Sequence, residues 1–266
     1  MKRIFITGGF GFIGSNLVKA LQDKYELVVW DKELSKGIDI KNDFDYIYHL
    51  AANSDSRFPD DVEMYENNIV AFLEVLKFAV KGKAKLIYTS SAAVYGSRRE
   101  KIINAYAHSK ILIDEIVKQF IKTHPRLKIV GLRPFNCYGP GELMKGRNAS
   151  VITQWREQIL KGERPKIFKG KYKRDFIYIK DVVKGLKQAM RLKNGIYDLG
   201  TGVATDFRDV LRIVIKVLGV KVKPKFIKNP YSETYQEYTK ADLNWGFKPD
   251  FTLEQGIRDY FENETN

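Results

Sequence analysis

A chain of 266 residues that is 44% hydrophobic can build one large domain with a core of ordinary size, and its single cysteine, Cys137, excludes an intrachain disulfide. The formal charge of +14 raises nucleic acid as a partner, but the basic residues are spread along the chain and no RNP, KH or helix-turn-helix pattern accompanies them. The charge is read as a lysine-rich surface with a site for an anionic substrate, not as nucleic-acid binding, and no apolar run approaches the roughly 20 residues that cross a bilayer.

The basic start, Met1-Lys2-Arg3, meets only a short apolar run before the glycines, too short for a secretory leader, which points to a cytoplasmic protein. A strand is predicted over Arg3–Thr7 and a helix over Phe12–Gln22. Gly8, Gly11 and Gly14 lie between and within them at the spacing Gly-x-x-Gly-x-x-Gly. Such glycines allow a tight turn and a close approach of backbone to a pyrophosphate, which the free N–H groups of the helix start attract. The next strand, Glu26–Trp30, ends at Asp31, where an acid can bind both ribose hydroxyls of an adenosine. Asp31 favours NAD by repelling a 2′-phosphate, whereas Lys32 and Lys36 just behind it can neutralise one. Asp39 and Ile40 are candidates for the adenine edge.

A strand over Tyr46–Leu50, a helix over Val62–Val80 and a strand over Lys85–Thr89 come next. That strand runs into Ser90-Ser91-Ala92-Ala93-Val94-Tyr95-Gly96, placing Ser91 at the C-terminal strand end, where open α/β sheets bind ligands. The helix over Ala105–Lys122 opens with Tyr106-x-x-x-Lys110, a spacing that puts both side chains on one face. A lysine ammonium there is expected to lower the tyrosine's pKa from about 10, so that the phenolate can take a hydroxyl proton while hydride leaves the same carbon. His49 reads as a core histidine, and His108 points away from the Tyr106–Lys110 face. Three scattered histidines and one cysteine make no metal-site spacing.

After the strand over Lys128–Leu132 the rhythm loosens. Helices are predicted over Ser150–Lys161, Lys180–Arg191, Asp206–Leu218 and Leu253–Phe261, with short strands over Lys166–Phe168, Gly195–Leu199 and Pro224–Ile227. The alternation predicts an α/β protein: a Rossmann-type doubly wound parallel sheet over residues 1–148, interleaved with a smaller C-terminal α/β substrate lobe over 149–266.

These motifs resemble the extended short-chain dehydrogenase/reductase superfamily in its nucleotide-sugar epimerase branch. The resemblance covers essentially the whole chain. It rests on the glycine loop, His49-Leu50-Ala51-Ala52, the Ser90–Gly96 segment, Tyr106-x-x-x-Lys110 and Leu132-Arg133-Pro134-Phe135-Asn136-Cys137-Tyr138-Gly139-Pro140. UDP-glucose 4-epimerases share all of these. Later segments are more similar to the ADP-L-glycero-D-manno-heptose 6-epimerases: Gly139 to Val151 with its Lys145 and Ala149-Ser150-Val151, Lys173 to Ile179, and Tyr235 to Leu243.

The resemblance implies an NADP- or NAD-dependent epimerase that acts through a transient carbonyl and holds its cofactor tightly, with a slight lean to NADP. It implies that Phe12, Ile13, Leu50, Ala51, Ala52, Asn67 and Pro134 line the cofactor, Asn67 beside the nicotinamide. Lys145 would be a second acid/base opposite Tyr106. Asn136, Ser150, Val151, Arg174 and Tyr235 would hold the nucleotide sugar, Asn136 and Arg174 at its diphosphate. A homo-oligomer built on the helices over Val62–Val80 and Ala105–Lys122 is also implied. Three departures stand out: a reduced Asp31–Tyr46 stretch, a short Gly96–Tyr106 link, and Glu233-Thr234 where the family has Gly-Arg. A dehydratase is disfavoured, because Ala92-Ala93 replace the acidic pair that chemistry uses. A cofactor sensor or RNA-binding protein would not need Ser91, Tyr106 and Lys110 together.

Overall fold

The computed structural model describes residues 1–30, 32–97 and 102–264. In the first half the elements are β1 (Arg3–Thr7), α1 (Phe12–Leu21), β2 (Glu26–Trp30), β3 (Tyr46–His49), α2 (Asp61–Tyr65), α3 (Ala71–Gly82), β4 (Lys85–Thr89), α4 (Ala105–Thr123) and β5 (Ile129–Pro134). In the second half they are α5 (Val151–Leu160), β6 (Lys166–Phe168), β7 (Lys173–Asp175), α6 (Ile179–Ala189), β8 (Gly195–Leu199), β9 (Ala204–Asp206), α7 (Phe207–Leu218), β10 (Lys225–Ile227) and α8 (Leu253–Asn263).

One parallel sheet carries the fold, in the order β2-β1-β3-β4-β5-β8. Its strands alternate sides with period two. Ile4, Ile6, Tyr48, Ile87, Val130 and Leu132 face a core shared with α1 and α6. Phe5, Ile47, Leu86, Tyr88 and Ile129 face the opposite core, under α3 and α4. The chain leaves β1 in one direction for β2 and then crosses back to β3, which opens a crevice at the C-terminal ends of β1 and β3, where doubly wound sheets bind their ligands. The reduced segment between β2 and β3 holds one 3-10 turn, Leu34–Lys36, so β2 is the outer edge of the sheet.

The second half is stitched into the first, since β8 pairs with β5 from Val130↔Gly195 to Pro134↔Leu199. Two small sheets, β10 with β6 and β7 with β9, build the rest of the lobe. β7 and β9 are too short and polar to have announced themselves as strands. Asp175 pins them: its buried carboxylate accepts hydrogen bonds from the backbone of Thr201, Gly202 and Ala241.

The single helix expected over Val62–Val80 is broken. A π-helical turn, Glu66–Val70, separates α2 from α3. Its wider winding turns Asn68 inward, where it accepts from the Asn53 N–H at 2.8 Å and donates to the Asn53 carbonyl and Ser109 Oγ, both at 3.0 Å. Among the described residues, no helix is long and apolar enough to cross a membrane.

Candidate active site

A cavity of about 550 Å³ opens at the C-terminal edge of the sheet, between it and the second-half lobe. The glycine loop forms its floor. Gly8 takes φ +69°, and a Cβ on Gly14 would lie 2.0 Å from the Gly8 carbonyl oxygen. α1 therefore starts against bare backbone, and no side chain caps its first N–H groups. A cradle that only hydrogen atoms fit, with free donors at a helix start, suits a dinucleotide pyrophosphate. Ser90 lines the same cavity, and its buried hydroxyl has no hydrogen-bond partner among the described residues.

On the catalytic wall, Asn104 caps α4 by accepting from the Ala107 N–H at 2.8 Å, which sets Tyr106 in the first turn and Lys110 one turn on. Ser91 ends the β4 segment, accepts the Ala93 N–H at 3.1 Å and hydrogen-bonds with the Tyr106 phenol, so it is both a cap and a site residue. Lys110 is 3% exposed and donates to the Thr89 carbonyl at 3.0 Å, with its ammonium 6.0 Å from the centre of the Tyr106 ring.

The titration of this pair corrects the expectation from sequence. Burial pushes the Tyr106 phenol up, against the smaller lowering effect of the Ser91 hydrogen bond. Lys110 is spending its charge on the Thr89 carbonyl, and burial lowers it to about 8 against the pull of Asp114. A folded-state pKa below the ordinary 10.5 means that the unfolded chain binds more protons between those two values, so folding gains as pH rises through that window. The stability of the wild type relative to Lys110→Met is therefore expected to rise by on the order of 3 kcal/mol from pH 7 to above pH 10.5, measured by urea unfolding of the ligand-free proteins. A pH-independent difference would show that Lys110 titrates normally.

The opposite wall comes from the 3-10 segment Glu142–Asn148. Lys145 reaches into the cavity with its ammonium 3.9 Å from Glu142 and 5.8 Å from the Phe12 ring centre. Glu142 has 0% exposure and accepts from the Ser150 N–H at 2.7 Å and the Ser150 hydroxyl at 2.8 Å, and also from the Thr153 hydroxyl at 2.5 Å. Burial pushes its carboxyl up, and Lys145 with those donors pulls it back. At the far end, the Arg174 guanidinium lies 4.3 Å from the centre of the Tyr235 ring and donates through Nε to the Gln236 carbonyl at 2.9 Å. Asn136, held at φ 35°, donates to the Asp175 carbonyl at 2.6 Å.

Of the residues singled out from sequence, Gly8, Gly11, Phe12, Ile13, Gly14, Leu50, Ala52, Ser91, Tyr106, Lys110, Pro134, Asn136, Lys145, Ser150, Val151, Arg174 and Tyr235 all line this one cavity. Ala51 contributes only its backbone, which packs behind Gly8. Asn67 is a correction. The π turn leaves its side chain exposed, 3.4 Å from Glu63, and sends Asn68 inward instead. Lys32, Lys36, Asp39 and Ile40 stand outside the cavity lining. Lys36 pairs with Glu33 at 2.6 Å, the Lys32 ammonium lies 5.2 Å from the Trp30 ring centre, Asp39 is exposed, and Ile40 packs on the α3-side core. Asp31 lies outside the described residues. His49 is buried with Nδ1 2.8 Å from Thr7 Oγ1, but its Nε2 has no partner among the described residues. His108 meets Tyr65 at 2.9 Å, away from the cavity. Glu142, Cys137 and Gln236 line the site without having been singled out; a glutamate in a Gly-rich loop carries no local sign that it will be buried.

The family model described as the NAD dependent epimerase/dehydratase family matches residues 4–200. Among solved structures, the chain is 32% identical to ADP-L-glycero-D-manno-heptose-6-epimerase of Helicobacter pylori, over 99% of this chain and 96% of that one, with a TM-score of 0.85. It is 27% identical to a UDP-N-acetylglucosamine 4-epimerase of Methanobrevibacter ruminantium, over 98% and 97% of the two chains, with a TM-score of 0.87. A UDP-glucose 4-epimerase of Thermotoga maritima is 25% identical, over 99% and 100%, with a TM-score of 0.84.

Proposed function

The chain belongs to the NAD dependent epimerase/dehydratase family, and from that membership we propose that it epimerises a nucleotide-activated sugar through a transient carbonyl, with an ADP-glycero-manno-heptose inverted at C6 as the substrate. The observation that carries this reading is that Lys145 shares one cavity with Ser91, Tyr106 and Lys110. Inverting a carbon presents its oxygen in two directions, which two acid/base groups in one cavity can serve.

NADP or NAD fits the glycine cradle and, when bound, would supply a hydride acceptor and donor. Gly8, Gly11, Gly14 and the start of α1 would hold its pyrophosphate, and Lys110 would hold its nicotinamide ribose. The pairing of Lys36 with Glu33 supports NAD; chromatography of the nucleotide released by denaturation decides between the two. Ser91 Oγ orients the reacting oxygen of the sugar. The ligand-free site favours the neutral phenol of Tyr106, so its proton transfer waits on the positive charge that a bound oxidised nicotinamide would add. In its phenolate form Tyr106 would take the hydroxyl proton of one epimer, and protonated Lys145 Nζ would give a proton to the oxygen of the other. Arg174, with its flat guanidinium on Tyr235, offers directed donors to a diphosphate.

Lys145→Met keeps the length of the side chain and removes its proton chemistry. We expect it to lower turnover about 10²-fold or more while the protein retains its cofactor, as read by NMR turnover and by nucleotide release. Wild-type rates would remove Lys145 from the mechanism. The reading as a whole is tested by incubating the pure enzyme, without added cofactor, with ADP-D-glycero-β-D-manno-heptose and following the L-glycero epimer by NMR. No epimer from protein shown to hold its cofactor would favour UDP-hexose 4-epimerisation, which the likeness to the two 4-epimerases also supports.

A further inference from the structure

Lys110 carries an ammonium into the protein with one hydrogen bond, to a carbonyl. A buried ammonium needs an opposite charge to stay ionised. Asp114 stands one turn further along the same face of α4, and it is 2% exposed. Its Oδ1 accepts from the Tyr88 hydroxyl of β4 at 2.9 Å. Its Oδ2 takes Arg133 of β5 through Nε at 2.9 Å and Nη2 at 2.8 Å. Arg133 Nη1 donates to the Tyr95 hydroxyl at 2.9 Å, and that hydroxyl donates to Asp198 of β8 at 2.6 Å. Positive and negative charges therefore alternate from Lys110 through Asp114 and Arg133 to Asp198. Tyr95 lies on the 3-10 turn that Ser91 begins, so the chain of contacts ends beside the other half of the catalytic wall.

We propose that Asp114 is a positioning residue that keeps Lys110 protonated beside Tyr106, and that Arg133 tempers it by drawing part of the carboxylate's charge to the other side. The proposal rests on the reading of Lys110 as the catalytic lysine. Around Lys110 stand Tyr106 and Asp114 on its own helix, the Thr89 carbonyl and Tyr88 of β4, and His49 of β3, with Arg133 of β5 behind Asp114. His49 adds no charge at neutral pH, because burial first and Lys110 second push it down to about 3. Asp114 is the group that opposes the effect of burial on Lys110.

The test is the pH profile of kcat/KM for the cofactor-loaded enzyme. Asp114→Asn should move the alkaline limb to lower pH by about one unit or more, the scale set by one unit charge about a helical turn away. Arg133→Gln should move the same limb to higher pH, since it frees the Asp114 charge for Lys110. Asp114→Glu, which keeps the charge, should return the limb toward the wild-type position even if Arg133→Gln does not fold. Opposite shifts from the two neutralisations are not a signature that loss of stability can produce. An Asp114→Asn profile that is scaled down with its limb unmoved would overturn the proposal alone. Lys110→Arg separates the two readings: a guanidinium does not titrate in this range, so adding Asp114→Asn to that variant should no longer move the limb, and a shift of the same size there would overturn the role of Asp114 through Lys110.

Discussion

Tyr106→Phe is expected to lower turnover by about 10³-fold and to leave both the fold and cofactor retention in place. Phenylalanine keeps the ring beside the Lys110 ammonium and removes only the hydroxyl that meets Ser91. The loss to stability is one hydrogen bond of a neutral phenol, about 1 kcal/mol. The loss to chemistry is the proton transfer assigned to this phenol. Turnover by NMR, the nucleotide released on denaturation and a thermal melt read the three quantities separately. Full activity in this variant would mean that the proton leaves by another route, and Ser91 would be the first group to examine.

Gly14→Ala is expected to be the most damaging single-atom change in the cofactor floor. The added Cβ would sit 2.0 Å from the Gly8 carbonyl oxygen and 2.8 Å from the Gly8 carbonyl carbon and the Gly9 Cα. All three are backbone, so no rotamer change relieves the clash, and the loop has to move off α1. Overpacking of this kind costs about 1–3 kcal/mol, and the displaced loop also loses its hold on a pyrophosphate. Gly11→Ala is the control. Its Cβ would meet only the Gly8 carbonyl oxygen at 3.3 Å, which a small adjustment can absorb. Gly14→Ala should emerge without nucleotide and with a lower melting temperature, while Gly11→Ala keeps part of both. Equal retention in the two variants would show that the cradle does not grip the cofactor through these backbone contacts.

The parallel sheet was legible because its strands are short apolar runs of the right length, and the glycine spacing marked where the first of them turns into a helix. Tyr106-x-x-x-Lys110 was legible because two side chains four apart on a helix must share a face. Three features were not. Asn68 replaces Asn67 because one extra residue of winding in the π turn rotates every later side chain, and nothing in Glu66-Asn67-Asn68 signals that winding. Glu142 is buried by partners eight and eleven residues away, Ser150 and Thr153, which local pattern does not reveal. The phenol of Tyr106 is raised rather than lowered because burial outweighs the Ser91 hydrogen bond, while Lys110 turns to a carbonyl of the neighbouring strand; spacing along α4 shows neither the burial nor that contact.

The pairing of β5 with β8 has a consequence for synthesis. On the ribosome, β1 to β5 emerge together, but the last edge of the sheet stays bare until Gly195–Leu199 follows, some sixty residues behind. During that interval the apolar Val130-Gly131-Leu132 offers unpaired N–H and carbonyl groups to any neighbouring chain. A nascent chain stalled or cut near residue 148 thus carries an adhesive margin, and the completed lobe is also the element that seals it.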